Sequence, residues 1–137
     1  MKKSPSLQPA YRSKLEKKVA AQLGKERIAF GYETKKIRFV IPARDARYTS
    51  DFECGEIIIE AKGYFRKAAD RQRLVFIKDQ NPTLDLRLVF QDANKPIYKG
   101  SKTTYADWAD KNGFPWATKG TIPPAWLKQM KRRAKWL

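Results

Sequence analysis

The run Ile57-Ile58-Ile59-Glu60-Ala61-Lys62 constrains this chain more than any other feature. Three successive β-branched residues favour an apolar strand. Alternate strand side chains share a face, so Ile58, Glu60 and Lys62 point one way, Ile57 and Ile59 the other. A buried strand should not end in two charges on one face unless they are paired, solvated or functional. Upstream, residues 48–52 are strand-like and Glu53-Cys54-Gly55-Glu56 can turn, with Gly55 at the tight position. Pairing across that turn brings Asp51, nine residues before Glu60, beside it.

The flanking pattern supplies the other elements. Leu15, Val19 and Leu23 repeat at helical spacing and predict a helix over 13–24, with Gly24 as its stop. Strands are expected over 28–33 and 36–41, and a loop over 42–47. A helix over 66–80 should end at Asn81-Pro82. Residues 84–90 read as a buried strand and 95–99 as a short one. A helix over 103–112 is capped by Thr103 or Thr104 and stopped by Gly113. Pro123-Pro124 opens a last helix carrying Trp126, Leu127 and Met130. Residues 1–10, broken by Pro5 and Pro9, read as a flexible basic arm. The expectation is one α/β domain over 1–137, a mixed sheet flanked by helices.

Composition then narrows the chemistry. The chain has no His and one Cys, which excludes Ser-His-Asp and Cys-His couples, His-ligated zinc and an intramolecular disulfide. A reducing cytosol suits such a chain. Thirty Lys and Arg against fourteen Asp and Glu give a net charge of +16. That charge favours a polyanionic partner, nucleic acid first and an anionic membrane surface second. No apolar run is long enough to span a bilayer, and Met1-Lys2-Lys3-Ser4-Pro5 leads into no signal-peptide core.

Two converging carboxylates such as Asp51 and Glu60 repel each other and suit a hard divalent cation, Mg²⁺ or Mn²⁺. Lys62 adds positive charge for a phosphoryl oxygen or holds the attacking water. The same spacing is loose, and Glu60 with Lys62 also reads as a surface pair at a strand end. Glu16 has two readings as well. Ser13-Lys14-Leu15-Glu16 is a capping box, whereas its place at the margin of the apolar stripe lets it reach a cleft. Glu53 is expected at the turn in solvent, Asp45 in a loop, and Cys54 as an incidental thiol.

These residues resemble a known family. Ser50-Asp51-Phe52 followed by Ile57-Ile58-Ile59-Glu60-Ala61-Lys62-Gly63 is similar to the PD-(D/E)xK nuclease motif, with Ser50 in place of the proline. The ordered set of Arg12-Ser13-Lys14-Leu15-Glu16, Val40-Ile41-Pro42-Ala43, residues 48–52, residues 84–90, Tyr98-Lys99-Gly100-Ser101 and residues 122–128 resembles the phage endonuclease I family of Holliday-junction resolvases. The resemblance implies a restriction-endonuclease-like core in an intertwined homodimer. It implies Asp51 and Glu60 as metal ligands, Lys62 as the catalytic lysine and Glu16 as a further catalytic acid, acting on the partner's site. Three carboxylates and one ammonium carry two negative charges, so one divalent ion neutralises them and two leave positive charge for a phosphate. The implied reaction is Mg²⁺-dependent nicking of four-way DNA junctions in the host cytoplasm, leaving 5′-phosphate ends.

Lys67 and Arg71, just after the motif strand, are expected to contact DNA phosphates. The cluster Lys128, Lys131, Arg132, Arg133 and Lys135 is a second basic surface, with Trp126 and Trp136 as packing residues. Two rival readings remain: a non-catalytic nucleic-acid packaging protein, and a PD-(D/E)xK nuclease with another DNA substrate.

Overall fold

Strand β5 (Ile57–Lys62) runs through the middle of the sheet, and its three isoleucines are fully buried. The computed structural model describes residues 10–41 and 44–134. Antiparallel to β5 lies β4 (Phe52–Cys54), with Phe52 opposite Ile59 and Cys54 opposite Ile57. Gly55 at φ 65° makes the turn between them, as its lack of a Cβ allows. On the other side β6 (Asp85–Phe90) runs parallel to β5. The edges are β1 (Gly31–Tyr32), antiparallel to β4, and β7 (Trp116–Ala117), parallel to β6. The order is therefore β1-β4-β5-β6-β7.

Helices cover both faces. Helix α1 (Lys14–Lys25) and α4 (Pro124–Ala134) share one apolar cluster with Ile57 and Ile59. Helix α2 (Ala68–Gln80) and α3 (Tyr105–Lys111) share another with Ile58, Leu86 and Leu88. The odd and even isoleucines thus enter opposite cores, as strand alternation requires. The expected mixed α/β sheet flanked by helices is the observed fold.

Four local expectations are corrected. Residues 42–47 were expected as a loop; Arg44–Thr49 instead forms β3, paired with β2 (Lys36–Ile41) in a separate two-stranded ribbon. Residues 42 and 43 lie outside the described residues, as do most of the expected arm, Lys135 and Trp136. The strand expected over 48–52 breaks at Ser50-Asp51, where the chain passes from ribbon to sheet. Residues 95–99 form no strand, only a Pro96–Thr104 bridge, since a proline lacks the N–H to extend a ladder. At the end of α1, Arg27 rather than Gly24 takes the left-handed turn, at φ 56°, and Ile28 N–H donates to Leu23 O at 3.0 Å. The capping box on α3 is complete, Thr104 and Asp107 each donating to the other from the backbone.

Candidate metal centre

The ribbon-to-sheet break builds the site. Glu33 N–H donates to Asp51 O at 3.0 Å and Ser50 N–H to Lys35 O at 3.2 Å. These bonds fasten the β1–β2 connection to the break. The second needs an amide hydrogen, which gives a physical reason for serine where the motif has proline. Asp51 is buried at the break, and its Oδ2 accepts from Ala61 N–H at 2.9 Å. That bond continues the β4–β5 register and places Asp51 beside Glu60, as hairpin pairing predicts.

Helix α1 brings Glu16 to the same place. Ser13 Oγ caps the helix by accepting from Glu16 N–H at 3.0 Å, so half of the capping box is present. The Glu16 carboxylate turns elsewhere: Oε1 accepts from Arg12 N–H at 2.8 Å and from Tyr32 O–H at 2.5 Å. The helix is thus capped by Ser13 without the Glu16 side chain; the carboxylate half of the expected capping box is absent, and that carboxylate sits with Glu33 and Asp51 instead.

Glu33 completes the cluster. Ligand oxygens of Glu16, Glu33 and Asp51 lie within 4.8 Å of one another. Glu33 holds φ 54°, an uncommon backbone conformation for a residue with a Cβ. Its buried Oε2 receives no hydrogen bond, although Arg12 Nε lies 2.7 Å away as an ion pair. Sequence reasoning missed Glu33, because no periodicity or motif marks a carboxylate positioned by a left-handed residue after a two-residue strand.

Glu60 lies on the far side of Asp51, buried, with Oε2 accepting from Tyr48 O–H at 2.5 Å. Burial first, then the neighbouring Asp51 carboxylate, pushes its carboxyl up to about 8, against the pull of Lys62. Asp51 is also raised, by burial foremost and with Glu16 adding repulsion, while Ala61 N–H, Lys62 and Arg12 oppose the rise. Two phenols, Tyr32 and Tyr48, orient the outer carboxylates, and both hold their protons well above the ordinary range, chiefly through burial. Lys62 is half-buried, its Nζ 5.5 Å from the centroid of the Phe65 ring.

Hard carboxylate oxygens, mutual repulsion and a buried oxygen without a hydrogen bond fit a divalent cation such as Mg²⁺ or Mn²⁺. Glu60 and Lys62 face a cleft of about 520 Å³, rimmed by the cations Arg12, Lys36, Arg47 and Arg73. Two of these come from the ribbon, whose register the sequence did not reveal.

The family described as phage endonuclease I matches residues 1–136. The chain belongs to the phage endonuclease I family. Among relatives of this phage endonuclease family member, the Endonuclease I of Escherichia phage T7 is 41% identical over 124 residues, covering 90% of this chain and 82% of the relative. Endodeoxyribonuclease 1 of Enterobacteria phage T3 is 44% identical over 124 residues, covering 90% and 80%.

The other candidates separate in this phage endonuclease fold. Lys67, the N-cap residue of α2, is exposed. Arg71 is not on the surface: it is 9% exposed, and its Nη1 donates to Phe65 O at 2.8 Å and Ile97 O at 3.2 Å. That guanidinium nitrogen is a structural tie, so the expected surface position of Arg71 is corrected, and Lys67 is the exposed one of the two DNA-contact candidates. Glu53, expected in solvent, is buried and accepts from Ser50 Oγ at 2.7 Å and from Thr34 Oγ1. Edge strand β1 covers it, which the sequence did not foretell. Asp45 falls in β3 rather than a loop. Cys54 is buried, which pushes its thiol up to about 12, so it is no nucleophile. In the basic tail, Lys131 pairs with Glu26 at 2.7 Å, and Arg87 stacks over Trp126 at 5.3 Å.

Proposed function

We propose that this chain is a Mg²⁺- or Mn²⁺-dependent endodeoxyribonuclease that binds four-way and other branched DNA and nicks it by phosphodiester hydrolysis, leaving 5′-phosphate ends. The observation that carries the reading is the convergence of Glu16, Glu33 and Asp51, with Glu60 beside Asp51 and with Glu33, Glu60 and Lys62 lining a cation-rimmed cleft. Family membership and the endonuclease names of the two relatives support it. A packaging protein needs the +16 charge but not this buried set of acids, which are costly to hold without a catalytic or metal role.

Asp51 and Glu60 are the proposed ligands of one ion, and Glu16, Glu33 and Asp51 suit a second. Bound metal supplies a polarised water and charge neutralisation at the phosphoryl oxygen. Ala61 N–H fixes the Asp51 carboxylate and Tyr48 fixes Glu60, so the donors need little rearrangement. Lys62 places its ammonium where negative charge accumulates on the phosphate. Lys67, with Lys36, Arg47 and Arg73, holds flanking phosphates without reading bases.

The active form is a homodimer that shares its sites. Exchange of helix α1 and strands β1 and β2 between two copies turns the β2–β3 pairing and the approach of Glu16 to Asp51 into contacts between subunits. Glu16 then serves the partner's Asp51, Glu60 and Lys62. Host cytoplasm, where branched phage DNA lies, is the proposed location. Lys62→Ala is expected to bind a four-way junction as tightly as the parent and to lose nicking by about 10²-fold or more. Lost binding instead would assign Lys62 to anchoring DNA rather than to the reaction.

A further inference from the structure

Arg12 reaches over the acid cluster from its solvent side. Its Nε lies 2.7 Å from Glu33 Oε2, and its Nη2 lies 3.3 Å from Asp51 Oδ1 and 3.9 Å from Glu16 Oε2. These are the three carboxylates whose oxygens converge within 4.8 Å.

Two features mark the guanidinium as a replaceable partner. The Arg12 side chain is 66% exposed, against 7% for Glu16 and 3% for Asp51, so a solvated group neutralises buried ones. Glu33 Oε2 touches Nε yet receives no hydrogen bond. A planar fork donates only along fixed directions, whereas a spherical cation has no such limit. The main chain, by contrast, is anchored. Arg12 N–H donates to Glu16 Oε1 at 2.8 Å and to Tyr32 Oη at 3.3 Å. Side-chain torsions alone therefore swing the guanidinium out of the cluster.

We infer that Arg12 is the site's built-in cation. Its guanidinium holds Glu16, Glu33 and Asp51 together before metal arrives, a divalent ion displaces it, and the released fork then grips a phosphate of the DNA in the same cleft. This rests on the metal-dependent nuclease reading above. Arg12 lines the cleft with Lys62, Arg47 and Arg73, so the freed side chain stays beside the DNA path. A guanidinium keeps its charge at any working pH and suits bidentate phosphate binding, which fits both stations.

The exchange gives Arg12 two effects of opposite sign. Removing a competitor for the carboxylates tightens metal binding, while removing a phosphate ligand slows nicking. Calorimetric Mn²⁺ titration of the full chain without DNA tests the first effect. Arg12→Gln is expected to bind Mn²⁺ about tenfold tighter than the parent. At saturating Mn²⁺ the same variant should nick junctions about tenfold more slowly or worse. A measurement on the unmodified protein guards against a folding defect. The ¹⁵N–¹H signal of Arg12 Nε, identified by its absence from Arg12→Lys, should shift over the concentration range in which Mg²⁺ binds. Unchanged or weaker Mn²⁺ affinity in Arg12→Gln, or an Nε signal that saturating Mg²⁺ leaves in place, would overturn the inference while leaving the nuclease reading intact. Absence of Mn²⁺ binding in both parent and variant would overturn the metal-centred reading and this inference with it.

Discussion

Glu60 depends on its surroundings more than any other acid in the site. Its carboxyl, raised to about 8 by burial and by Asp51, belongs near about 4.3 in an unfolded chain. Between those values the folded state holds a proton that the unfolded state has lost. The stability this protonation supports is complete below about pH 4.3 and is lost as pH rises through about 8. Glu60→Gln mimics the protonated form at every pH. In EDTA the variant is therefore expected to melt above the parent at pH 8 and level with it at pH 4, read by thermal melts at both values. Equal melting at pH 8 would contradict a buried, strained carboxylate. Strand alternation and the Gly55 turn were enough to bring Asp51, Glu60 and Lys62 together from sequence, because all three lie on one hairpin. Glu33 was illegible, because its carboxylate arrives through a left-handed residue and a backbone bond to Asp51, neither of which leaves a pattern.

At the scale of elements, α2 carries two basic residues that the sequence did not tell apart. Lys67 and Arg71 read alike as basic residues after the motif strand, yet the fold separates them. Arg71 turns inward to tie the Phe65 and Ile97 carbonyls, while Lys67 stays at the exposed helix start. Arg71→Ala leaves two carbonyls unsatisfied and is expected to lower stability by about 2–4 kcal/mol. Lys67→Ala should shift stability by no more than about 0.5 kcal/mol and reduce the salt slope of junction binding by about 1. Urea melts and a binding series in salt read the two effects, and reversed assignments would refute the separation. The ribbon was half legible: alternation marked β2, but β3 has Arg44-Asp45-Ala46-Arg47 on one strand, too polar to read as a strand without its partner. No local signal in Trp116–Ala117 announces β7, which exists because β6 offers it an edge.

At the scale of the whole molecule, a charge of +16 asks for a partner with many phosphates, and the proposed dimer would double that demand. Composition alone reached no further than a polyanion; the proposal of branched DNA came from the ordered family segments. The proposed sharing of sites makes a direct prediction. Glu16→Ala and Lys62→Ala chains, each inactive alone, are expected to regain junction nicking when refolded together, because each mixed dimer holds one site with both lesions and one with neither. No regained nicking, with mixed dimers demonstrated, would return Glu16 to its own chain's site. Cleavage of a labelled four-way junction and of a linear duplex of the same sequence, in Mg²⁺ and in EDTA, tests the proposed junction nuclease most directly. Paired nicks with 5′-phosphate ends in the junction, little cutting of the duplex, and none in EDTA are expected. Tight junction binding with no nicking in Mg²⁺ or Mn²⁺ at any pH would contradict that proposal.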